Sequence, residues 1–332
     1  MKKIIVTGGA GYIGSHLVLS LVRNKYVPII LDNFSNSFPS IIKKLETITK
    51  KKIIFYKVDL RNTTRLKSII NQHKCHAVIH CANSKSVSES IKMPIQYFDN
   101  NVASTLSLLK VLDEKKIYKI IFSSSAVVYD TNQKMPLNEN SKISESISPY
   151  GESKLMIEKI FQVICKTNAN WKIGIARYFN PIGNDSSGLI GDYPKKYPDN
   201  IFPSVIRSLK AKKPFKIFGK NYQTRDGTCI RDYIHVIDLV EGHIAMLKKN
   251  KLKKGINIFN FGTGKGYTVL EVVKAFKKNI ASSFLYKFVS RRKGDAQISV
   301  CDFRKARKKL DWKPVHSLKD AVIDSIKYAK IK

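Results

Sequence analysis

The sequence predicts an α/β fold, a doubly wound parallel sheet with a smaller C-terminal α/β domain. Two observations support this fold class. Short apolar runs alternate with segments of helical periodicity six times over about the first 180 residues, which is typical of βαβ units in a parallel sheet. The first apolar run ends in a glycine cluster that opens a helical segment. The chain has 332 residues, of which 43% are hydrophobic, so it is long enough to bury a sizeable core.

The predicted elements follow the chain in order. Strands are predicted at residues 4–6, 26–32, 51–60 and 76–82, then in the segment 118–129, where the fifth strand runs into the serines 123–125, and at 171–180. Helices are predicted at residues 12–23, 61–73, 100–115 and 150–167. The alternation then breaks, because residues 181–200 are rich in Gly, Pro and Asp and are expected to be irregular. A helix is predicted at 201–213 and a buried strand at 255–264, and the remainder is expected to mix helices with loops.

The charge and hydropathy of the chain argue against two classes of partner. The net charge of +35 comes from 60 Lys and Arg against 25 Asp and Glu, but the lysines are spread over the whole chain in short pairs. This distribution is typical of solvated surface lysines, so we expect no nucleic-acid partner, although a basic surface attracts anionic small substrates. No apolar run is long enough to span a membrane or to serve as a secretion signal. We therefore expect a cytoplasmic protein with no membrane partner.

The cysteines and histidines give no sign of a metal site. The five cysteines are odd in number, scattered, and form no CxxC pair, which is typical of reduced cytosolic thiols. The segment 73–81 contains several His and Cys residues, but their spacing is not that of a zinc site. No metal is predicted.

The glycine cluster predicts a phosphate-binding turn. Gly8 and Gly11 lie between the first strand and the first helix and Gly14 lies in the first turn of that helix, where glycines allow backbone N–H groups to approach a pyrophosphate. Such a match is weak alone, but its position at the front of a βαβ unit strengthens it. Asp32 ends the second strand, where a carboxylate suits the two ribose hydroxyls of NAD and repels a 2′-phosphate. These residues predict a Rossmann-type dinucleotide site that favours NAD over NADP.

A serine, a tyrosine and a lysine predict proton transfer next to that turn. Ser125 lies at the carboxyl end of the fifth strand, where open α/β sheets bind ligands, although serines that end strands are also common loop residues. Tyr150 and Lys154 begin the next helix four residues apart, so they share one face. A nearby ammonium and a positively charged nicotinamide ring would lower the pKa of the tyrosine from about 10 and favour the phenolate as a base. A surface pair is the alternative, since this spacing is frequent by chance.

At these residues the chain resembles the extended short-chain dehydrogenase/reductase superfamily. The similarity extends, nearly end to end, to the UDP-glucose 4-epimerases through the segments GGAGYIGSH, LDN, YFDNNV, FSSSAVVY, SPYGESKLMIE, RYFNPIG, IFG, DGTCIRDYIHV and RRKGD. The resemblance implies an NAD-dependent isomerase of galactose and carbohydrate metabolism that acts on a nucleotide-sugar. It implies reversible epimerisation at C4 of a UDP-hexose, from UDP-galactose to UDP-glucose. The 4-OH proton leaves to the tyrosine, C4 gives hydride to a tightly bound NAD, and the 4-keto sugar turns over before the hydride returns.

The resemblance also implies residue roles and a domain division. The catalytic residues are Tyr150, Lys154 and Ser125. The NAD-binding residues are Gly8, Gly11, Tyr12, Ile13, Gly14, Asp32, Asn33, Asn36, Ser37, Asp59, Leu60, Cys81, Ala82, Lys85, Asn100, Ser125, Tyr150, Lys154 and Phe179. The substrate-binding residues are Ser125, Tyr150, Asn180, Asn200, Ile201, Ile217, Phe218, Arg231, Arg292, Asp295 and Ser299. Residues 1–180, with a returning segment at about 236–262, are expected to form the NAD-binding Rossmann domain. Residues 181–235 and 263–332 are expected to form the UDP-sugar domain, and the family suggests a homodimer through two helices of the NAD domain.

The sequence departs from the family pattern at three positions, and a fourth position carries a small residue. Asn83 replaces a glycine, which asparagine can imitate because it tolerates left-handed backbone conformations. Val127 replaces a small polar residue and removes a hydrogen bond to substrate, and Asp130 replaces a glycine. Ser299 stands where some members carry tyrosine, so we expect room for an N-acetyl group and turnover of UDP-GlcNAc and UDP-GalNAc as well.

Other functions stay open at this point. A sugar-nucleotide 4,6-dehydratase needs an acid and a base beside the serine, where this chain has Ala126 and Val127. A uronate decarboxylase or epimerase needs a clamp for the carboxylate, which the sequence does not reveal. A binding protein without activity would need a damaged Tyr–Lys pair, and both residues are present.

Overall fold

Parallel strands dominate the computed structural model, which describes residues 1–144, 148–192, 194–195, 200–248, 251–280, 284–292 and 295–331. Within these residues the strands are β1 (Lys3–Thr7), β2 (Val27–Asp32), β3 (Ile54–Lys57), β4 (Cys75–His80), β5 (Lys119–Ser125), β6 (Lys172–Tyr178), β7 (Asn180–Ile182), β8 (Phe215–Phe218), β9 (Ile230–His235), β10 (Gly255–Phe261), β11 (Gly266–Thr268), β12 (Tyr286–Val289) and β13 (Ile298–Ser299).

The helices of the described residues separate most of these strands. They are α1 (Tyr12–Arg23), α2 (Ser40–Thr49), α3 (Thr63–Asn71), α4 (Val87–Lys92), α5 (Pro94–Phe98), α6 (Ser104–Glu114), α7 (Pro149–Thr167), α8 (Ile201–Lys210), α9 (Val236–Leu247), α10 (Val269–Lys278), α11 (Arg304–Leu310) and α12 (Leu318–Ala329). A π-helical turn, Asp99–Ala103, joins α5 to α6. No helix among the described residues has the length and apolar character needed to cross a membrane.

The large sheet has the order β10-β6-β5-β4-β1-β2-β3, and all of its strand pairs are parallel. The predicted fold class is confirmed. The order reverses beside β1, whose last residue Thr7 pairs with Leu31 on one side and His80 on the other. In open α/β sheets a crevice forms at such a switch point, outside the carboxyl ends of the strands. The glycine cluster begins at this point.

Both faces of the large sheet are covered, which explains why its strands read as continuous apolar runs. Ile4 and Val6 of β1 point into one cluster with buried residues of α1 and α9. Ile5 points to the opposite cluster, which includes buried residues of α3, α6 and α7. The period-two alternation along one strand therefore serves two cores. The helix α7 that starts with Pro149 is fixed to the sheet by the second of them.

The observed bounds differ from the predicted ones where strands end. The predicted third strand is reduced to β3. β5 ends at Ser125, at the serines where its end was predicted, and the Ser125 side chain accepts a hydrogen bond from Val127 N at 3.3 Å and opens a 3₁₀ turn. The predicted sixth strand splits in two. β6 ends at Tyr178, and Asn180 starts β7, which pairs with β9 in a different sheet. Phe179 continues the apolar run across the end of β6, so the pattern indicated no break there.

The second half of the chain contains short strands that were not predicted individually. β9 pairs in parallel with β7 and β13 and antiparallel with β11, and β8 pairs in parallel with β12. Buried residues of α8, α10 and α12, among them Val205, Phe276 and Val322, form their own apolar cluster. Strands of two to six residues are too short to show a clear alternation, which is why helices and loops were expected here. The predicted strand at 255–264 is β10, which pairs with β6 in the large sheet.

Candidate active site

The glycine turn after β1 is built so that backbone can approach a ligand. Gly8 has φ +67°, and its N–H donates to Leu31 O at 2.8 Å. Gly14 lies so close to this turn that an added Cβ would come 2.0 Å from Gly8 O. Gly11 precedes α1 without any side-chain capping bond, so the first N–H groups of the helix have no side-chain acceptor at that position. The turn and helix terminus together form an anion-binding site.

The buried carboxylate of Asp32 supports this turn. One carboxylate oxygen accepts from Ala10 N at 2.9 Å, inside the glycine cluster. The other accepts from Phe34 N at 2.8 Å and from the hydroxyl of Ser37 at 2.9 Å. Asp32 and Ser37, both predicted to bind NAD, are therefore held together at the carboxyl end of β2. Asp32 also has a structural role that the sequence did not reveal, because it fixes the loop beside it.

A chain of buried hydrogen bonds connects Thr7, at the end of β1, through His80 of β4 to Thr105 and Asn101. Thr105 Oγ1 donates to Asn101 O at 2.6 Å and is 2.9 Å from His80 Nε2. His80 Nδ1 is 2.7 Å from Thr7 Oγ1. Burial lowers the pKa of His80 to about 3, so the ring is neutral and can accept from Thr7 at Nδ1 while it donates at Nε2. Thr7 Oγ1 is then free to accept from Cys81 N at 3.2 Å. This arrangement fixes the loop after β4, where Cys81 and Ala82 were predicted to contact NAD.

The helix that carries the Tyr–Lys pair starts at a defined point. Ser148 is its N-cap and accepts from Gly151 N at 3.3 Å, with Pro149 in the first turn. Lys154 is buried, and its Nζ donates to Asn83 Oδ1 at 2.7 Å and to Ser123 O at 2.6 Å. Its Nζ is 5.7 Å from the centroid of the Tyr150 ring. The structure thus brings together Tyr150 and Lys154, the serines at the end of β5, and Asn83, a position that departs from the family pattern.

The pKa of Tyr150 does not follow the simplest expectation. Burial raises it above its ordinary value, and a hydrogen bond with Ser125 opposes the rise. The lowering that we predicted from Lys154 is not found in the protein alone. Burial also lowers the pKa of Lys154, to about 7, so that its charge is only partly present at neutral pH. A phenolate at Tyr150 therefore needs a further positive charge in the site.

A buried asparagine holds the loop after β4 against α7. Asn101, in the π-helical turn, accepts from Ser84 N at 2.8 Å and donates to Ser153 Oγ at 2.9 Å. Ser153 Oγ in turn donates to Tyr150 O at 2.7 Å. Its neighbour Asn100, which was predicted to contact NAD, donates to Ser84 Oγ at 3.0 Å. Sequence reasoning missed Asn101, because nothing in the pattern indicates a π-helical turn, although such turns are frequent at functional sites.

The predicted substrate residues lie on the second half of the chain, around β8, β9 and β13. Arg231 Nη2 is 3.6 Å from Asp295 Oδ1, and Arg231 faces Ser299 across the pair of β9 and β13. The guanidinium carbon of Arg292 lies 3.9 Å from the centroid of the Phe218 ring. Two residues of the RRKGD motif, 293 and 294, lie outside the described residues.

The remaining predicted substrate residues are close to these or to β7. Asn180 Nδ2 donates to Asp232 O at 3.0 Å, so its amide is held by β9. Ile217 is buried in β8. Asn200 and Ile201 are the N-cap and first residue of α8, whose N-terminus has no side-chain cap. Asn200 Nδ2 also reaches Asp192 Oδ2 at 3.4 Å.

Two lysines make contacts between the Rossmann half of the chain and the irregular stretch that contains Asp192 and Lys195. Lys85 Nζ is 3.5 Å from Asp192 Oδ1 and lies over the Tyr12 ring at 5.3 Å. Lys195 Nζ donates to Phe34 O at 2.6 Å, and its backbone N–H donates to Asn36 Oδ1 at 3.3 Å. Residues predicted to bind NAD thus contact a segment predicted to belong to the substrate domain. Sequence reasoning missed Asp192 and Lys195, which occupy an irregular stretch without a motif.

The other predicted NAD residues are arranged around the same crevice. Tyr12 hydroxyl donates to Gly183 O at 2.6 Å. Asn33 Nδ2 donates to Asp59 Oδ2 at 3.2 Å, and Arg61 beside Asp59 holds the pKa of that carboxyl well below its usual range. The hydrophobic residues of the set are buried or packed on the core: Ile13, Leu60 and Phe179.

The described residues contain no group of three or more His, Cys, Asp or Glu side chains placed to hold a metal ion. Burial raises the pKa of the Cys81 thiol to about 12, so it is not a thiolate ligand at neutral pH. The five cysteines are all free thiols.

The site can now be compared with known proteins. The model of the NAD dependent epimerase/dehydratase family matches residues 4–262. A UDP-glucose 4-epimerase of Dictyostelium discoideum is 44% identical over 331 residues, which cover 99% of this chain and 96% of the relative. The chain belongs to the UDP-glucose 4-epimerases of this family.

Solved structures of the family superpose along the whole chain. A UDP-glucose 4-epimerase from Bifidobacterium longum, in complex with NAD⁺ and UDP, has a TM-score of 0.95 and 39% identity, with coverage of 99% of this chain and 98% of that one. The UDP-Glc/GlcNAc 4-epimerase of Campylobacter jejuni has a TM-score of 0.84 and 34% identity, with 99% of each chain covered. The family membership predicted from the sequence is confirmed.

The geometry of the crevice fits the cofactor of this family. A dinucleotide site needs three features that are present here. They are the space next to Gly14 that a side chain would fill, the start of α1 without a side-chain cap, and the buried Asp32. A Cβ at Gly8 would lie 2.9 Å from Ala82 backbone, so the turn also packs closely against the loop after β4.

Proposed function

We propose that this protein interconverts UDP-galactose and UDP-glucose by epimerisation at C4, with NAD as its bound cofactor. The observation that carries the proposal is the arrangement of the buried Lys154 with the half-buried Tyr150 and Ser125 beside a phosphate-binding turn. It occurs in a chain that is 44% identical, over 99% of its length, to a UDP-glucose 4-epimerase. Fold, site and family therefore agree on one reaction.

The residues of α7 and β5 would handle the proton. The Tyr150 oxygen takes the proton of the sugar 4-OH and gives it back after the 4-keto sugar has turned over. Ser125, which hydrogen-bonds Tyr150, would hold the same hydroxyl. Lys154 uses two of the three N–H donors of an ammonium within the described residues, which leaves the third for a ligand hydroxyl. Because burial raises the pKa of Tyr150, the base forms only when a ligand brings positive charge to the site.

The cofactor would lie across the switch point of the sheet. The turn Gly8–Gly14 and the first N–H groups of α1 would hold the pyrophosphate, and Asp32 would accept from the ribose hydroxyls. The chemistry that NAD would supply when bound there is reversible hydride transfer at C4 of the sugar. Lys85, which pairs with Asp192, and Lys195, which donates to Phe34 O, would cover the cofactor and explain tight retention.

The nucleotide part of the substrate would be held by the second half of the chain. Arg231 and Arg292 supply planar donors for a diphosphate, and Asp295 supplies an acceptor for ribose hydroxyls. Asn180 and Asn200 would contribute amide donors. These side chains hold charged groups far from C4, so the sugar itself is held loosely enough to rotate.

A dehydratase is disfavoured by the residues next to Ser125. Elimination of water needs an additional acid and base there, and this chain has Ala126 and Val127, which carry no ionisable group. The dehydratase alternative would be supported by a 4-keto-6-deoxy product.

A second substrate pair is proposed from the small residue on β13. Ser299 is buried next to Arg231, and its side chain occupies little of the space that a tyrosine would fill. We propose that UDP-GlcNAc and UDP-GalNAc are interconverted as well. Assays with both sugar pairs test this directly, and the absence of turnover of the acetylated pair would refute it.

A homodimer is proposed from an exposed apolar surface on α4–α7. Its members include Ile91, Ile95, Leu106, Met156 and Val163, of which Ile95 is 84% and Val163 60% exposed. The helices α4 and α5 contact α7, so the residues share one side of the NAD half. Exposed apolar patches of this kind mark interaction sites. Light scattering should give the mass of two chains, and Val163→Glu should give that of one.

The division of the chain and its location complete the proposal. Residues 1–180 with about 236–262 would bind NAD, and residues 181–235 with 263–332 would bind the UDP-sugar. The pairing of β10 with β6 supports the returning segment. The free thiols support a reducing, cytoplasmic location, which fractionation of cells would test.

The proposed reaction is tested by incubating the purified protein with UDP-galactose without added NAD. Formation of UDP-glucose, followed by chromatography, is expected because the cofactor is retained through purification and regenerated in each turnover. A reaction that occurs only after addition of NAD would contradict retention, and no conversion even with NAD would contradict the reaction itself.

A further inference from the structure

The face of α7 that carries Tyr150 and Lys154 continues with a third polar residue. Glu158 follows Lys154 by four residues, so the three side chains form one stripe along the helix. Glu158 is only 1% exposed at its side chain. A carboxylate is almost never fully buried unless it is paired, so its partners indicate what it does.

The carboxylate of Glu158 connects α7 to two strands at once. Ser124 Oγ, on β5, donates to Oε1 at 2.5 Å. Arg177, on β6, donates from Nε to Oε1 at 3.1 Å and from Nη2 to Oε2 at 2.6 Å, which is a bidentate pair. Ser124 directly precedes Ser125. The helix of the base and the strand of the catalytic serine are therefore joined by one buried carboxylate, one residue away from the site.

The arginine extends the connection to the far edge of the sheet. The Arg177 guanidinium carbon lies 4.8 Å from the centroid of the Tyr129 ring. Tyr129 hydroxyl donates to Asn260 Oδ1 at 2.7 Å, and Asn260 Nδ2 donates to Leu137 O at 3.0 Å. The network thus links α7, β5, β6 and β10 through side chains alone.

We infer that Glu158 and Arg177 are positioning residues that fix Tyr150 relative to Ser125. The inference rests on the proposed function, because it concerns the alignment of the groups that hold the sugar 4-OH. Burying two charges is costly, and an apolar pair of similar volume would stabilise the fold at least as well. What an apolar pair would not supply is direction, whereas a bidentate bond and a short hydroxyl bond fix one angle and one distance. Displacements of about 1 Å are enough to slow a reaction about 100-fold.

Glu158 also affects the neighbouring lysine. Its charge opposes the burial that lowers the pKa of Lys154. The other groups around Lys154 that influence its titration or pack on it are Cys81 from the loop after β4, His80 of β4, and Tyr150 and Phe122. Removal of the carboxylate should therefore disturb the base and its cation together.

The test is Glu158→Gln, an isosteric change that keeps an acceptor for Ser124 and removes the ion pair. We expect kcat for UDP-galactose to fall roughly 10- to 100-fold while KM stays within about twofold, measured well below the melting temperature. The matched control is Asp238→Asn, another buried carboxylate, whose partners Val315 and His316 are not among the proposed site residues. This control should lower the melting temperature and leave kcat unchanged.

A double variant separates alignment from stability. Glu158→Gln with Arg177→Gln removes the unpaired buried cation, so the melting temperature should recover while kcat stays low. Recovery of kcat together with the melting temperature, or a kcat of Glu158→Gln within about twofold of wild type, would overturn the inference. The double variant also decides the matter if the single variant fails to fold. Wild-type protein that does not convert UDP-galactose would instead contradict the proposed function.

Discussion

The two halves of the site hold their charges in opposite ways. On the proposed NAD side, Glu158 and Arg177 meet at 2.6 Å with side chains 1% and 4% exposed. On the proposed UDP-sugar side, Arg231 and Asp295 are 3.6 Å apart and are 16% and 32% exposed. The first pair is a bidentate interaction made inside the protein through Arg177 Nε and Nη2, while the buried Nη1 has no hydrogen-bond partner. The second is a loose pair whose bonding capacity remains available to a ligand.

The difference indicates a division of labour. Groups that move a proton must keep their geometry through a cycle, so they are set by partners such as Asn83 and the buried Asn101. Groups that hold a diphosphate must exchange protein contacts for ligand contacts, and a weak, partly solvated pair is easily replaced. Substitutions in the buried half should therefore reduce the rate of the chemical step, and substitutions in the exposed half should mainly weaken binding.

The largest effect is expected at the base. Tyr150→Phe removes the phenol oxygen and keeps the ring, so activity should fall by about 10² to 10⁴, because no other group accepts the proton. The far-ultraviolet circular dichroism and the melting temperature should stay close to wild type. Substantial residual epimerase activity would refute Tyr150 as the base.

The next effect concerns the glycine turn. Gly14→Ala places a Cβ 2.0 Å from Gly8 O, so the turn must open and the phosphate site must deform. We expect purified protein without bound NAD, seen as a lower ratio of absorbance at 260 nm to that at 280 nm. Gly174→Ala is the control, since its added Cβ meets the flexible Met246 side chain at 3.1 Å and lies outside the turn. Equal NAD content in both variants would contradict the assignment of the turn.

A moderate effect is expected in the exposed half. Arg231→Ala should raise KM for UDP-galactose roughly 10- to 100-fold with little change in kcat. A rise in KM of this size is what the loss of one hydrogen bond to a charged group produces. The comparison variant is Arg225→Ala, an exposed arginine paired with Glu271 outside the proposed site. A fall in kcat at constant KM for Arg231→Ala would remove the distinction between the two halves.

The smallest effect is a dependence of stability on pH. The folded state lowers the pKa of Lys154 to about 7 from 10.5, so the unfolded chain binds more protons between these values. Stability must then rise with pH over that range, and the penalty for the buried cation is fully present only below about pH 7. Relative to Lys154→Met, the wild type should gain up to about 2 kcal/mol in free energy of unfolding from pH 7 to pH 9. Parallel pH curves for the two proteins would show that Lys154 is not a buried cation.

The sequence predicted the parts of this molecule that depend on local chemistry. The glycine turn, Asp32 and the strand that ends at Ser125 lie where the alternation of apolar runs placed them. The order of strands that brings Thr7 and His80 together depends on the fold as a whole, so it had no local signal. Glu158 is an intermediate case. Its spacing from Lys154 was visible, but its function depends on Arg177, which is 19 residues away in another strand.

Parts of the second half could not be predicted because their strands are short and their contacts are distant in sequence. Arg231 and Asp295 meet only through the pairing of β9 and β13, a strand of two residues. The pKa of Tyr150 was expected to fall beside Lys154 and a bound nicotinamide ring, and in the protein alone it is raised. Burial, which a sequence cannot supply residue by residue, outweighs the hydrogen bond from Ser125.

The central claim is that hydrogen leaves C4 of the sugar and returns to the same carbon. It is tested by incubating the protein with UDP-galactose deuterated at C4 in ordinary water and recording the deuterium content of the UDP-glucose by mass spectrometry and NMR. The label should stay at C4 in the product. Loss of the label to solvent, or its transfer to another carbon of the sugar, would contradict it.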